Sequence, residues 1–273
     1  MLKQRIITAV ILALGLISAL QLSALVFTAV VAVIVMIGMW EWAKLCGYTL
    51  KLFRFSMALL QGTLVMWLAM WVDIAGAVHQ HLISLLLQID VALWLVLAIA
   101  VVSYPRSAPL LQSNPLKLLL GFVILAGAWV AVAQLVTRDN GKLLLLAGIV
   151  IIALADIGGF FVGRAFGKHK LAPQVSPAKT WEGLLGGVGL NVVVALIAAL
   201  WLELAIVNVM VLVIATGLAS VFGDLFESLI KRQCGLKDSG RILPGHGGIL
   251  DRIDGIVAAM PVFTLLHLVL LGG

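Results

Sequence analysis

The run from Ile6 to Met39, IITAVILALGLISALQLSALVFTAVVAVIVMIGM, holds no residue with a formal charge. A helix crosses the hydrocarbon core of a bilayer with about twenty apolar residues. The run therefore supplies either one overlong crossing or two, broken around Ser18 to Ser23. Strands of a membrane barrel alternate apolar and polar residues over about ten positions, whereas this run is continuous, so the expected element is a helix.

Outward from it the same texture returns at 56–72, 82–102, 117–136, 143–163, 183–202, 205–230 and 254–271. With 6–20 and 22–41 these make about nine crossings. Composition agrees: of 273 residues, 63% are apolar and 11% charged, and mean hydropathy is +1.19. Soluble domains run near 45–50% apolar and about 25% charged, so a cytosolic enzyme, a disordered chain and a secreted disulfide scaffold are all excluded. The expected fold is all-α, a polytopic membrane protein. No repeat of fixed period and no linker divides the chain, so residues 1–273 read as one membrane domain whose chemistry must come from its polar minority. The start, Met1-Leu2-Lys3-Gln4-Arg5, is basic like a signal peptide. No small-residue cleavage site followed by a polar domain comes after it, which makes it an uncleaved first span.

Charge sets the expected sidedness. Loops 44–54, 103–117, 164–182 and 231–252 carry most of the Lys and Arg, and the intervening loops are neutral or acidic. The positive-inside rule then places the basic loops in the cytoplasm and the chain in the inner membrane. Lys3 and Arg5 belong inside too, which favours a hairpin over residues 6–41. The net charge of +6 and pI near 9.6 are accounted for by these loops and by anionic lipid. No nucleic-acid motif is present, so nucleic acid is not an expected partner. Cys46 and Cys234 fall in the basic loops, where disulfides rarely persist, and receive no structural role.

The polar minority gathers in two segments, 156–183 and 224–254. Asp224, Glu227, Ser228 and Lys231 stand at i, i+3, i+4 and i+7, on one face of the eighth span. An ionised Asp at membrane depth costs several kcal/mol unless it is paired, faces water or holds a metal, so a functional role is the default for Asp224. The loop beyond it, Lys237-Asp238-Ser239-Gly240 through Pro244-Gly245-His246-Gly247-Gly248, mixes glycine with charge. Backbone N–H groups can approach a polyanion there, with Lys231, Arg232, Lys237, Arg241, Arg252 and His246 supplying positive charge. Asp251 and Asp254, at i and i+3 where the last helix starts, can join Asp224 around Mg²⁺, which takes few protein carboxylates and completes its sphere with water and phosphate. In the first segment Ser176-Pro177, followed by Lys179, reads as a helix start with Ser as N-cap, an anion-binding element. Asp156 is a further intramembrane acid with Arg164 as its expected partner. Gly183 and Gly187 form a GxxxG step for close helix packing. Glu41 and Trp42 read as an interfacial anchor, and His79 and His81 carry no site.

The run Ser228 to Asp254 resembles the signature of the CDP-diacylglycerol synthases, the phosphatidate cytidylyltransferases of bacterial type. Ser228, Lys231-Arg232, Lys237-Asp238, Pro244, His246-Gly247-Gly248, Asp251-Arg252 and Asp254 fill its positions without insertion. Ser176-Pro177, Lys179-Thr180-Trp181-Glu182-Gly183 and Gly223-Asp224 are similar to further elements of that family. Gly159-Phe160 departs from an Ala-Tyr pair often found there. The resemblance implies a nucleotidyltransferase of phospholipid biosynthesis that joins CTP and phosphatidate into CDP-diacylglycerol and pyrophosphate. It implies catalytic roles for Asp224, Asp251, Lys231, Lys237, Asp238 and His246. Substrate binding falls to Ser176, Lys179, Ser228, Arg232, Arg252 and Asp156, and Mg²⁺ to Asp224, Asp251 and Asp254, with room for a second cation. The expected partners are the two substrates and membrane lipid, and a homodimer is compatible with this reading.

Two alternatives stand beside it. A CDP-alcohol phosphotransferase shares the opening Asp251-x-x-Asp254-Gly255-x-x-Ala258, but Ala259 occupies the position its motif needs as Arg. A transporter of phosphorylated anions would use the same basic pockets, yet such sites lie at the midplane between repeated halves, and these motifs cluster at span ends.

Overall fold

The structure, a computed structural model, describes residues 18–72 and 80–272, together with residue 15. Among them eight α-helices are long and apolar enough to cross a bilayer. They are α1 (Ala24–Leu45), α2 (Lys51–Ala69), α3 (Gln80–Val102), α4 (Asn114–Val136), α5 (Gly141–Phe166), α6 (Trp181–Trp201), α7 (Ile206–Gln233) and α8 (Leu250–Leu270). One 3₁₀ turn, Ala108–Leu111, and one antiparallel hairpin, β1 (Lys170–Ala172) with β2 (Ser176–Thr180), are the other regular elements described. The protein is thus all-α and polytopic, as expected. Most of the first expected crossing, 6–20, lies outside the described residues, as do Asp73 and His79. The break after it is described: Gln21 N donates to Ser18 O and Leu22 N to Ala19 O, each at 3.0 Å. Ser23 then caps α1, its hydroxyl accepting from Val26 N at 3.4 Å.

Helix α2 starts at Lys51 and α8 at Leu250, ahead of the expected 56 and 254. Polar residues carry a helix on into the interface, where an apolar window ends.

Helix α4 is buried almost all round from Ile124 to Val136, which makes it the central helix, with α1, α3 and α8 against it. A helix apolar on every side belongs in such a position. The Trp42 ring from α1 lies on Gly121, where a Cβ would collide with it, and its indole N–H donates to Lys117 O at 2.8 Å. Trp42 and Glu41 are each only 1% exposed. The expectation of an interfacial anchor fails for both: Trp42 packs on Gly121 of α4 and Phe226 of α7, and Glu41 lies against the loop that precedes α8.

Helices α5 and α6 pair along a seam of small residues. A Cβ on Gly158 would stand 2.7 Å from Gly186 O, and one on Gly187 2.5 Å from Ala155 O. The expected packing role of Gly183 and Gly187 therefore holds, with Gly183 against Gly159 and Gly163. Outward, Leu95, Ile99, Leu143, Leu185, Leu200 and Val207 are exposed, as lipid-facing side chains would be.

The loops that follow α1, α3, α5 and α7 meet at one end of the bundle. Cys234 Sγ donates to Leu45 O, Gln233 Nε2 to Ala108 O at 3.4 Å and Arg232 Nε to Val175 O at 3.3 Å. Both polar segments read from the sequence lie at this end.

Candidate active site

The last turns of α7 and the first turn of α8 carry a dense group of charged residues. Asp224 and Ser228, one turn apart, face the same way, and the Ser228 hydroxyl donates to Asp224 Oδ1 at 3.4 Å. One turn further, Lys231 is shared by two carboxylates, Glu227 Oε2 at 3.2 Å and Asp251 Oδ1 at 2.8 Å. All three side chains are at most 10% exposed. Asp254, one turn into α8, lies near enough to Asp224 and Glu227 for their charges to act on one another. A carboxylate can sit so close to others only where protons or cations offset the repulsion.

Asp251 is the most heavily bonded acid of the group. Besides Lys231 it accepts from Gly248 N at 2.7 Å, from Ser239 N at 3.0 Å and from the Ser239 hydroxyl at 3.0 Å. Its side chain thus closes the loop 234–249 onto the start of α8. The loop leaves a polar cleft of about 640 Å³ lined by Lys237, Asp238, Arg241, His246, Gly247 and Arg252. Gly247 has φ +84°, a left-handed turn that would strain other residues, and an added Cβ would stand 2.5 Å from Asp251 Oδ2. Arg252 Nε donates to His246 O at 3.2 Å, tying the cleft's far wall to α8.

The segment 167–180 departs from expectation. Ser176 does not cap a helix; it lies in β2, paired with Ala172 of β1. A residue before proline is driven to extended backbone, and the neighbouring strand gives that conformation a partner. The helix begins four residues later, where the Thr180 hydroxyl accepts from Gly183 N at 3.1 Å. Glu182 reaches back to the amides of Lys168 at 3.1 Å and His169 at 3.2 Å, and to His169 Nδ1 at 2.6 Å. The hairpin so fixed delivers Lys179 to Asp224, Nζ to Oδ2 at 2.5 Å, with Nζ also donating to Val221 O at 3.3 Å.

Beside this pair opens a second space of about 210 Å³, mostly apolar, lined by Asp156, Phe160, Leu171, Lys179, Thr180 and Val221. Phe160 stands here without a hydroxyl, and the Arg164 guanidinium lies 6.0 Å from its ring centroid; the structure gives no ion pair between Arg164 and Asp156. Of the expected site residues, Asp156, Lys179, Asp224, Ser228, Lys231, Asp251 and Asp254 come together, and Lys237, Asp238, His246 and Arg252 line the adjoining cleft. Arg232 turns to the Val175 carbonyl of the hairpin instead. Two acids complete the group that the sequence reading did not select. Glu227 was visible on the face of Asp224 and Lys231; Glu41, whose Oε2 accepts from Leu250 N at 2.8 Å, was not.

At the junction of α7 and α8 four carboxylates, Asp224, Glu227, Asp251 and Asp254, face two ammonium groups, Lys179 and Lys231. This oxygen-only donor set leaves negative charge for a hard cation to balance and fits Mg²⁺. Asp251 is saturated by its own loop, so Asp224 and Asp254 are the better placed of the three expected ligands. Among the described residues no group of three or more His, Cys, Asp or Glu side chains is placed to hold a metal ion by itself. A Mg²⁺ site finished by water and phosphate does not need one.

Fold and site together define a polytopic membrane protein with a charged, polar cleft and a mostly apolar groove at one end of its bundle. Comparison with known proteins agrees: the cytidylyltransferase family model matches residues 3–270. The phosphatidate cytidylyltransferase of Haemophilus influenzae is 38% identical over 285 residues, covering 98% of this chain and 99% of that protein. That of Pseudomonas aeruginosa is 38% identical, covering 97% of each, and that of Staphylococcus epidermidis is 36% identical, covering 81% of this chain and 90% of that protein. The chain belongs to the cytidylyltransferase family.

Proposed function

We propose that the protein joins CTP to phosphatidate: an oxygen of the lipid phosphate attacks the α-phosphorus of CTP, CDP-diacylglycerol forms and pyrophosphate leaves. The nucleophile is already anionic, so the reaction needs positioning and charge neutralisation more than a strong base. The observation that carries this reading is one charged cluster that serves two spaces: Lys179, paired with Asp224, lines the apolar groove, and Asp251 holds the loop that lines the cationic cleft. The relatives named above support the same substrates.

Lys237, Arg241, His246 and Arg252 line the wall suited to a triphosphate, with Asp238 among them. Lys179, at the mouth of the apolar groove beside Asp156, is placed to hold the lipid phosphate while the acyl chains remain in the groove and the bilayer. Ser228 orients Asp224, and Lys231 keeps Asp251 and Glu227 in register. Asp224 and Asp254 are the carboxylates we assign to Mg²⁺, which would supply neutralisation of the triphosphate charge. The basic loops at this end support an inner-membrane protein whose site faces the cytoplasm, where CTP is available.

The test is made on detergent-purified protein supplied with labelled CTP, Mg²⁺ and one of phosphatidate, diacylglycerol or no acceptor. Label is expected in the lipid extract with phosphatidate alone, and EDTA should abolish it. Equal incorporation with diacylglycerol, or none with phosphatidate at any Mg²⁺ concentration, would refute the assignment.

A further inference from the structure

One buried acid at this end of the bundle has no part in the mechanism above. Glu41, in the last turn but one of α1, is 1% exposed and takes its partners from residues about two hundred positions away. Its Oε2 accepts from Leu250 N at 2.8 Å and lies 3.2 Å from the Ser239 hydroxyl, which in turn lies 3.0 Å from Asp251 Oδ2. Its Oε1 is buried without a hydrogen-bond partner. Gly240 and Gly248 lie against the carboxylate so closely that a Cβ on either would collide with it. One turn along α1, Lys44 Nζ reaches Ser239 O at 3.5 Å.

These contacts fall on the two ends of one loop. Between Ser239 and Leu250 the chain has no regular structure beyond a bridge from Leu243 to Gly247, and it turns at two left-handed glycines, Gly245 and Gly247. A loop of this kind is held by its anchors. Asp251 ties it from within, through Ser239 and Gly248, and Glu41 ties it to the body of the bundle, through Ser239 and Leu250. The loop and the residues at its two ends carry the cleft's cations, Lys237, Arg241 and Arg252.

We propose that Glu41 is a positioning residue for the nucleotide: by bonding Ser239 and the Leu250 amide, it holds the 237–250 loop where its cations meet the triphosphate. The inference rests on reading the cleft as the CTP site. Losing the acceptor of the Leu250 amide, together with the share it takes of the Ser239 hydroxyl, is expected to weaken CTP binding by about tenfold or more. The groove beside Lys179, which shares no lining residue with the cleft, should be untouched. Gln at this position keeps one acceptor oxygen for Leu250 N and Ser239, and its NH₂ can take the place of Oε1, where no donor stands to be displaced.

The experiment measures KM for CTP and for phosphatidate, together with trypsin nicking after Lys237 and Arg241, in purified wild type, Glu41→Ala, Glu41→Gln and Ser239→Ala. Glu41→Ala and Ser239→Ala are expected to raise KM for CTP at least about tenfold, to leave KM for phosphatidate within about threefold and to speed nicking. Glu41→Gln should stay near wild type on all three. The inference is overturned if Glu41→Ala keeps the wild-type KM for CTP and nicking rate, if both KM values rise together, or if Glu41→Gln is as damaging as Glu41→Ala. Should Glu41→Ala fail to fold, the contrast between Ser239→Ala and Glu41→Gln decides by the same criteria. A wild type that forms no lipid product sinks the cytidylyl-transfer reading, and nicking then decides separately whether Glu41 holds the loop.

Discussion

Replacing Lys231 by Met tests how the charged junction is held together. Lys231 is the ammonium shared by Glu227 at 3.2 Å and Asp251 at 2.8 Å, and the three side chains are 10%, 4% and 6% exposed. At an effective dielectric constant near 20, unit charges about 3 Å apart attract by roughly 5–6 kcal/mol. Desolvation costs several kcal/mol per ion, so the intact network is close to neutral for stability. Removing the common cation is different. Two buried carboxylates are then left beside Asp254, and breaking a buried pair from one side typically costs about 3–5 kcal/mol. Lys231→Met is expected to lose about that much stability, measured by denaturant unfolding in detergent micelles, and at least about a hundredfold in kcat/KM for CTP. Adding Glu227→Gln removes one of the stranded charges and should recover part of the stability without recovering activity, since Asp251 still lacks the partner that orients it. A Lys231→Met protein that unfolds like wild type and retains kcat/KM within about threefold would refute the network.

Three further outcomes follow from local structure. Thr180→Ala removes the cap of α6 and should cost about 1 kcal/mol in detergent unfolding, whereas Thr180→Ser should cost little; equal losses would show that the hydroxyl is not the cap. Burial pushes the Cys46 thiol up to about 12 and raises Cys234 as well. At pH 8 only roughly one Cys46 in ten thousand is then thiolate, so maleimide should label it in SDS and not in the folded protein. Lys237→Ala takes a cation from the cleft wall and should raise KM for CTP about tenfold with less change in kcat, an effect that shrinks as salt is added; an unchanged KM would move the nucleotide elsewhere.

The helices were legible because lipid selects length and apolarity together, and runs such as 143–163 and 205–230 admit no other reading. The face bearing Asp224, Ser228 and Lys231 was legible for a similar reason: helical spacing alone puts Ser228 one turn from Asp224, as the 3.4 Å hydrogen bond shows. The small-residue seam at Gly183 and Gly187 was equally local. Ser176 misled because a local signal, Ser-Pro before a polar turn, was overridden by a strand pairing with Lys170–Ala172 that no spacing reveals. Arg232 lies in the signature run yet turns to the hairpin for the same reason. Glu41 was illegible as a site residue. An acid at the end of an apolar run looks the same whether it meets water or is buried by a loop about two hundred residues away. The one hint available was its isolation, a lone acid between Trp40 and Trp42 at the basic end of a span.

The most direct measurement follows the two ends of the nucleotide separately. Purified protein is given phosphatidate and Mg²⁺ with CTP labelled at either the α- or the γ-phosphate, and label is traced to the lipid extract and to the aqueous phase. Transfer of CMP predicts that α-label enters lipid while γ-label leaves as pyrophosphate, in equal amounts. γ-Label in the lipid, or α-label that never leaves the aqueous phase, would contradict it.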